Sequence, residues 1–174
     1  MRLFIAIDFN ELKDYFIGLQ KSLPGNSKLS LTKTFHLTLK FLGEVPLGDI
    51  DKIKNQLKKV DFEKFSLNLD SVGVFPDGKF IRVVWVGLKP ENEILELQRA
   101  IDEKLSDLFQ IENNFKAHIT LTRVKFIQDK NDFIDKLKKI KIDDKKVEIE
   151  EFKLIKSTLT PEGPVYETVA LFKA

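Results

Sequence analysis

Hydrophobic and polar residues alternate strictly in two short stretches of this chain. Residues 35–42 read FHLTLKFL, and residues 117–124 read AHITLTRV. Because successive side chains of a β-strand point to opposite faces, this alternation predicts two strands, at about 34–42 and 115–124. The predicted polar faces hold His36, Thr38 and Lys40 in the first strand and His118, Thr120 and Thr122 in the second; the predicted apolar faces hold Phe35, Leu37, Leu39 and Phe41, and Ala117, Ile119 and Leu121.

The rest of the chain shows patterns typical of further strands and of amphipathic helices. Asn10 is predicted to cap the first helix. The strand that follows the hairpin signal at residues 75–78 is predicted to place Ile81, Val83 and Trp85 on one face. The predicted strands are 2–8, 64–75, 79–87, 146–159 and 165–172, and the predicted helices are 10–23, 47–60, 92–109 and 130–139.

The order of the predicted elements repeats along the chain. A helix, a strand with a His-x-Thr sequence, a second helix and two strands occur first, and the same order follows after about residue 90. No stretch rich in Pro, Gly or Ser divides the chain. We therefore expect a single domain over residues 1–174, made of two intertwined lobes, with an internal repeat of approximately 1–88 and 89–174. Two such lobes, related by a pseudo-twofold axis, would enclose a central cleft.

The composition narrows the classes of protein that the chain can represent. The net charge is only +2, and no cysteine is present, which excludes disulfides, thiolate metal sites and a thiol nucleophile. Because no uncharged apolar run of about 18 residues and no signal-peptide pattern occurs, we expect a cytoplasmic protein without a membrane span. Lysine supplies 25 of the 29 basic residues, a bias that is typical of thermophilic proteins.

Both histidines of the chain lie in a His-x-Thr-Leu sequence. Imidazole titrates near pH 6.5, so two of them can supply a neutral base and a protonated acid together. A threonine hydroxyl can donate a hydrogen bond to an anion. A base, an acid and anion-binding hydroxyls fit displacement at phosphorus, where the nucleophile loses a proton on one side and the leaving oxygen gains one on the other.

These sequences resemble those of a known family. The paired motifs, the opening RLFIAI, the run HLTLKFLG from residue 36 and the tail STLTPEGPVY from residue 157 are similar to those of the two-histidine phosphoesterases. The most similar branch is the RNA 2′,3′-cyclic phosphodiesterases, also called the 2′-5′ RNA ligase family. The resemblance implies an α+β fold with two pseudo-symmetric lobes of mostly antiparallel sheet, flanking helices and a central cleft. It also implies metal-independent opening of an RNA 2′,3′-cyclic phosphate end to a 2′-phosphate.

The resemblance also implies roles for particular residues. His36 and His118 correspond to the acid–base pair, and Thr38 and Thr120 to the residues that hold the phosphate. We expect His118 to act as the base toward water and His36 as the acid toward the leaving O3′, although pseudo-symmetry permits the exchange. No cofactor and no metal are expected. The expected partner is an RNA end, such as that of a tRNA half, which some members of the family also ligate through a 2′-5′ linkage, and we expect a monomer with no obligate protein partner.

Four further residues are open to two interpretations. Lys40 shares the predicted face of His36, so it either neutralises the phosphate or is an ordinary surface lysine. Arg123 matches a basic position that is common after the second motif in the family. Its predicted face is opposite to that of His118, so it reaches the cleft only if the strand ends or bulges there. Tyr166 and Trp85 either stack on a base or pack in the interior.

Other functions remain open from the sequence alone. The histidines could be polar residues with a purely structural role, or metal ligands, although neither motif supplies a second ligand close by. The chain could also be an RNA-binding module with a non-catalytic cleft, or a phosphodiesterase that acts on another cyclic nucleotide phosphate. No phosphate-binding Gly-rich loop or dinucleotide fingerprint is present, so ATP-driven ligation and nicotinamide chemistry have no support.

Overall fold

The computed structural model describes all 174 residues, which form nine β-strands and four α-helices. The strands are β1 (Arg2–Asp8), β2 (Ser27–Leu31), β3 (His36–Glu44), β4 (Phe65–Asp77), β5 (Phe80–Lys89), β6 (Ile119–Ile127), β7 (Lys146–Ile149), β8 (Glu151–Thr160) and β9 (Gly163–Lys173). The helices are α1 (Lys13–Lys21), α2 (Ile50–Leu57), α3 (Asn92–Lys104) and α4 (Lys130–Lys138). None of these helices is long and apolar enough to cross a bilayer.

All strands join one antiparallel sheet in the order β7-β4-β5-β6-β3-β1-β8-β9, with β2 also paired to β6. The sheet has two halves, because β3 and β6 meet through a single residue pair, Leu37 with Ile119. The half on one side of this seam contains β3, β1, β8 and β9, and the half on the other side contains β6, β5, β4 and β7. The predicted α+β class, with two pseudo-symmetric halves of antiparallel sheet and flanking helices, is confirmed.

The two halves exchange strands. The order β1, α1, β3, α2, β4 is repeated as β5, α3, β6, α4, β8, yet β4 pairs with β5 and β8 pairs with β1. Strand β4, the last strand of the first series, therefore lies in the half that holds β5 and β6. Strand β8, the last strand of the second series, lies in the half that holds β1 and β3. Neither half is a continuous segment of the chain. The predicted repeat boundary near residue 88 stays a prediction.

The helices cover one face of the sheet and leave the other face open. Side chains of β1 show this division, since Ile5 packs in the core together with Phe16 of α1 and Ile101 of α3. Phe4 points the opposite way and packs with Tyr166. Burying a large apolar side chain of this kind stabilises the fold by about 1.5–3 kcal/mol. We call the side without helices the open face.

Three sequence-based assignments of elements are wrong in detail. Asn10 lies within a short 3-10 turn and does not cap a helix; its Oδ1 instead accepts a hydrogen bond from the backbone N–H of Phe35, at 2.8 Å. The predicted strand 146–159 is divided at Glu150 into β7 and β8, which lie in different halves of the sheet. Strand β2, a polar strand with little apolar alternation, was not predicted, because its formation depends on pairing with β6.

A β-bulge lies at the leucine of each His-x-Thr-Leu motif. Ile5 pairs with Lys40 and Ala6 with Thr38, so Leu39 has no partner on β1. In β6, Leu121 is likewise without a partner, because Val84 pairs with Thr122 and Trp85 with Thr120. An unpaired residue reverses the alternation of the strand beyond it. The equivalent bulge in both motifs shows that the duplication extends to the irregularities of the strands.

The bulges change the face of four residues relative to the sequence-based prediction. Lys40 and Thr122 turn toward the helices and are buried, whereas Phe41 turns to the open face, where its ring lies 6.1 Å from that of Phe4. A third irregularity, at Arg82, separates Ile81 from Val83 and Trp85, so that Ile81 packs toward α4. Simple alternation was wrong for these four because it assumes an uninterrupted ladder.

Candidate active site

The two histidine motifs meet at the seam of the sheet. Leu37 and Ile119 are the one residue pair between β3 and β6, and the strands are antiparallel. This register places His36 opposite Thr120 and His118 opposite Thr38, all on the open face. The two histidines are then diagonal neighbours, for which a separation of about 7–8 Å is usual. A group of the size of a phosphate can therefore lie between two imidazoles, with a threonine hydroxyl opposite each.

His118 precedes the first residue of β6 and is held through one ring nitrogen. Its Nδ1 lies 2.8 Å from the carbonyl oxygen of Lys116, and since a carbonyl can only accept, Nδ1 carries the hydrogen. The neutral ring then has its lone pair on Nε2, where it can accept a proton. Burial lowers the pKa of His118, and the charge of Lys116 lowers it further, while the hydrogen bond to the Lys116 carbonyl opposes both.

His36 begins β3 and lies among aromatic rings and one carboxylate. The ring of Phe4 is 5.0 Å away and that of Tyr166 is 5.1 Å away, the latter edge to face. Burial lowers the pKa of His36 to about 4, against the opposing effect of the charge on Asp8, its pairing partner on β1. Both histidines are therefore predominantly neutral at pH 7 in the unliganded protein.

Asp8 is held as a carboxylate beside His36. Its Oδ1 accepts hydrogen bonds from the backbone N–H and the side-chain amide of Asn10, at 2.7 and 2.8 Å, and its Oδ2 accepts one from Lys153 at 3.1 Å. Burial raises the pKa of Asp8, but these hydrogen bonds and the charge of Lys153 lower it more, and the net pKa is below its ordinary value. A negative charge therefore persists near His36 at neutral pH.

Lys40 does not join the histidine face. Its ammonium group is buried and pairs with Asp102 of α3, and it donates a second hydrogen bond to the carbonyl of Gln110, at 2.6 Å. The other oxygen of Asp102 accepts from Gln98, at 2.8 Å, and from the backbone N–H of Glu112, at 2.9 Å. The bulge at Leu39 explains why Lys40 does not lie on the face that simple alternation predicts. Lys40 is therefore left out of the candidate phosphate site.

Arg123 reaches the open face because of the bulge in β6. It pairs with Val83, two residues from Trp85 on the same face of β5. Burial raises the pKa of Tyr166, and the positive charges of Arg123 and Arg2 partly oppose this rise. Because Tyr166 lies against His36, the charge of Arg123 acts across the seam. The sequence allowed Arg123 to reach the cleft only if the strand ends or bulges before it, and β6 does bulge, at Leu121.

Each histidine has two aromatic neighbours, half of which sequence reasoning missed. Phe75 lies 4.8 Å from the ring of His118, edge to face, and Trp85 lies 6.2 Å from it. Phe4 and Tyr166 form the equivalent pair around His36. Trp85 and Tyr166 each pack against a histidine, and stacking of either ring on a base stays a prediction. Phe4 and Phe75 lie on predicted strands, but nothing in the sequence of those strands indicates that they approach a histidine.

Gly73 provides the space for Trp85. A Cβ atom at this position would lie 2.3 Å from Cη2 of Trp85, well inside van der Waals contact, so any side chain would displace the indole. Trp85 also carries the ammonium of Lys116 over its ring, at 5.2 Å, which is a cation–π distance. The structure contains no cluster of three or more His, Cys, Asp or Glu side chains that could hold a metal ion.

The chain matches one family model twice. Residues 7–85 and 86–166 each match the model described as LigT like Phosphoesterase. Each match contains one histidine motif, His36 in the first and His118 in the second.

Similar proteins and structures agree with this match. The chain is 40% identical over 174 residues to a protein of Methanocaldococcus jannaschii named RNA 2′,3′-cyclic phosphodiesterase, with 97% of this chain and 98% of that protein covered. It is 35% identical to a protein of the same name from Archaeoglobus fulgidus, with 99% and 100% covered. A crystal structure from Thermus thermophilus has a TM-score of 0.76 and 26% identity, over 99% of this chain and 97% of that one. The chain belongs to the LigT-like phosphoesterases.

Proposed function

We propose that the protein hydrolyses the 2′,3′-cyclic phosphate at the end of an RNA chain to a 2′-phosphate, with His118 and His36 as general base and general acid. The observation that carries the proposal is the seam, where two imidazoles lie diagonally across one residue pair and each faces a threonine of the other motif. The name RNA 2′,3′-cyclic phosphodiesterase, which relatives at 40% and 35% identity carry, supports the substrate.

In this proposal His118 activates water. Its Nδ1 hydrogen is committed to the Lys116 carbonyl, so a neutral ring presents Nε2 as the proton acceptor. A pKa lowered by burial keeps the ring neutral at pH 7 and ready to accept a proton. Water attacks phosphorus as Nε2 takes its proton, and the new P–O bond forms on the side opposite the leaving O3′.

His36 protonates the leaving oxygen in the same step. The P–O3′ bond breaks, O3′ receives the proton of His36, and the product carries a 2′-phosphate and a free 3′-hydroxyl. An acid with a pKa of about 4 would be almost fully deprotonated at pH 7 in the unliganded protein. The anionic cyclic phosphate, placed beside the ring, favours the imidazolium and raises its pKa toward neutrality. Binding of substrate thus supplies the acid form, and exchange with solvent later returns both rings to their starting state.

Three residues are proposed to hold the phosphate oxygens. The hydroxyls of Thr38 and Thr120 donate hydrogen bonds to the non-bridging oxygens. Arg123 supplies a positive charge on the open face, near the seam, as charge accumulates on phosphorus. The register at the seam and the bulge in β6 support these assignments. Ligation of tRNA halves stays a prediction.

The test is hydrolysis of a short RNA that ends in a 2′,3′-cyclic phosphate, with a chelator present and with identification of the product. We expect wild type to form only the 2′-phosphate. His36→Ala and His118→Ala should each lower kcat by at least about a hundredfold, the usual contribution of a general acid or base. The effects of substituting two groups that act as a unit are not additive. The kcat of the double variant should therefore be only a little below that of the less active single variant.

The other outcomes separate the remaining alternatives. Tight binding of the RNA without turnover by wild type would indicate a binding module. Loss of turnover on chelation would indicate a metal site. Faster hydrolysis of a 3′,5′-cyclic mononucleotide than of the 2′,3′-cyclic RNA end would assign the protein to another substrate class. Thermal unfolding of each variant controls for misfolding.

A further inference from the structure

The open face continues beyond the active site along β6. Arg123 is followed by a second irregularity, since Leu29 of β2 pairs with Val124 and Lys28 with Phe126. This leaves Lys125 unpaired and keeps Phe126 on the side of Arg123. Val124 and Ile127 confirm the orientation, because both pack on the helix side. Phe126 is 61% exposed, so an aromatic ring is presented to solvent next to Lys28.

A second exposed ring lies at the adjacent end of β5. Phe80 pairs with Asp77 at the hairpin turn and points away from Ile81, which packs toward α4. It is 51% exposed. The guanidinium of Arg82 lies 4.6 Å from the centre of its ring. Oδ1 of Asp77 accepts hydrogen bonds from the backbone N–H groups of Lys79 and Phe80, at 2.8 and 3.0 Å.

The distribution of two residue types supports a binding role for this face. The chain has 15 phenylalanines, and the three that are exposed, Phe41, Phe80 and Phe126, all lie on the open face. The chain also has only four arginines; Arg99 is on the helix side, and the others are Arg2, Arg82 and Arg123. Exposed aromatic rings next to guanidinium groups are suited to nucleic acid, since bases stack on the rings and arginine binds phosphate.

We propose that Phe126, Lys28, Phe80 and Arg82, which lie beyond Arg123 and are together called the β6 arm, bind the nucleotides that precede the terminal cyclic phosphate. The inference rests on the proposed function and locates the surface that would make an RNA oligomer a better substrate than a mononucleotide. From Thr120 at the seam to Phe126 the strand extends about 20 Å, which is longer than one nucleotide. The arm is therefore continuous with the phosphate site and extends past the terminal base.

Charge selects this direction over the opposite one. Phe41 is exposed on the other side of the seam, but β3 ends there at Glu44, whose carboxylate lies 3.3 Å from the terminal amino group of Met1. The β6 side carries three cations, Arg123, Arg82 and Lys28, whereas Arg2 is the one arginine on the other side. A polyanion that leaves the seam is attracted toward the arm with the unpaired cations.

The test compares two substrates with the same terminal nucleoside. One is adenosine 2′,3′-cyclic phosphate, and the other is an RNA of about six nucleotides ending in the same group, a length within the range that single-strand-binding surfaces cover. For wild type we expect kcat/KM to be at least about tenfold higher for the oligomer. Phe126→Ala and Phe80→Ala should each lower the ratio of the two kcat/KM values by about fivefold or more, the usual contribution of one stacked base.

Two controls accompany these variants. Leu47→Ala removes a side chain that is 73% exposed but lies at the start of the α2 region, away from the open face, and it should leave the ratio unchanged. Arg82→Ala should reduce the salt dependence of kcat/KM for the oligomer by about one counterion, whereas Lys58→Ala, at the exposed residue that follows α2, should not. Thermal unfolding of every variant identifies any loss of folded protein.

The outcomes distinguish this inference from the proposed function. Equal kcat/KM values for both substrates in wild type, or variants that lower both values by the same factor, would overturn the β6 arm. Failure of wild type to open either substrate would instead contradict the proposed function. In that case the same variants are measured by fluorescence anisotropy with an oligomer that ends in a 2′-phosphate, and unchanged affinity would overturn the arm as well.

Discussion

Acidification is expected to destabilise the unliganded protein through His36. In the unfolded chain its pKa is near 6.5, whereas burial lowers it to about 4 in the folded protein. Above pH 6.5 both states hold a neutral ring, so the full stability is present there. Below pH 6.5 the unfolded state binds a proton that the folded state does not, and the free energy of unfolding falls. The loss amounts to about 3 kcal/mol by pH 4, a large part of the stability of a typical domain.

The assay is urea unfolding of wild type and His36→Gln at intervals from pH 4 to pH 8. Glutamine does not titrate, so the other titrating groups largely cancel in the difference between the two proteins. We expect this difference to be constant above pH 7 and to change by about 3 kcal/mol toward pH 4, in favour of the variant. Only the pH-dependent part is used, because the substitution also changes packing against Phe4 and Tyr166.

Curves that stay parallel from pH 8 to pH 4 would refute the buried, neutral state of His36. A second measurement tests the step from this state to the acid form. NMR titration of the ring, with and without a nucleoside 2′-monophosphate, should show a pKa near 4 that rises toward neutrality when the phosphate is bound. A pKa that the ligand leaves unchanged would exclude His36 as the general acid, even if the stability data agreed.

Two further substitutions test the surroundings of the site. Lys40→Met should lower the free energy of unfolding by about 3–5 kcal/mol, because it leaves the buried Asp102 without its partner. The double variant with Asp102→Leu should recover much of this loss. A loss of less than about 1 kcal/mol for Lys40→Met alone would contradict the buried pair. Gly73→Ala should lower kcat at least about tenfold, since the added Cβ would lie 2.3 Å from Trp85. Gly48→Ala is the control and should leave kcat unchanged, because a Cβ added there meets no atom within 4 Å. Equal effects of the two substitutions on kcat would refute the steric argument.

Part of this structure could be predicted from local pattern. Alternation identified β3 and β6, and the repeated His-x-Thr sequence identified the residues that meet at the seam. These features depend on neighbours within a few positions, because strand periodicity and motif spacing are properties of the chain itself. The same pattern identified the family, since the motifs and the terminal sequences extend over nearly the whole chain.

Other features were decided by tertiary structure. Whether Lys40 faces the phosphate or the core depends on a bulge, and a bulge depends on how β3 pairs with β1. The partner of Lys40 is Asp102, 62 positions away, which no local pattern can indicate. Strand β2 and the division of β7 from β8 likewise follow from pairing with distant strands.

The electrostatics of the site were also beyond the sequence. Two histidines predicted an acid and a base near neutral pH, but burial lowers both pKa values, and burial is set by aromatic rings from four different strands. Local sequence pattern was enough to predict the two histidine motifs and the strands β3 and β6 that bring them together. Which of the candidate residues share a face, and how readily each histidine binds a proton, depend on the tertiary fold, because both are set by groups that are distant in sequence and adjacent in space.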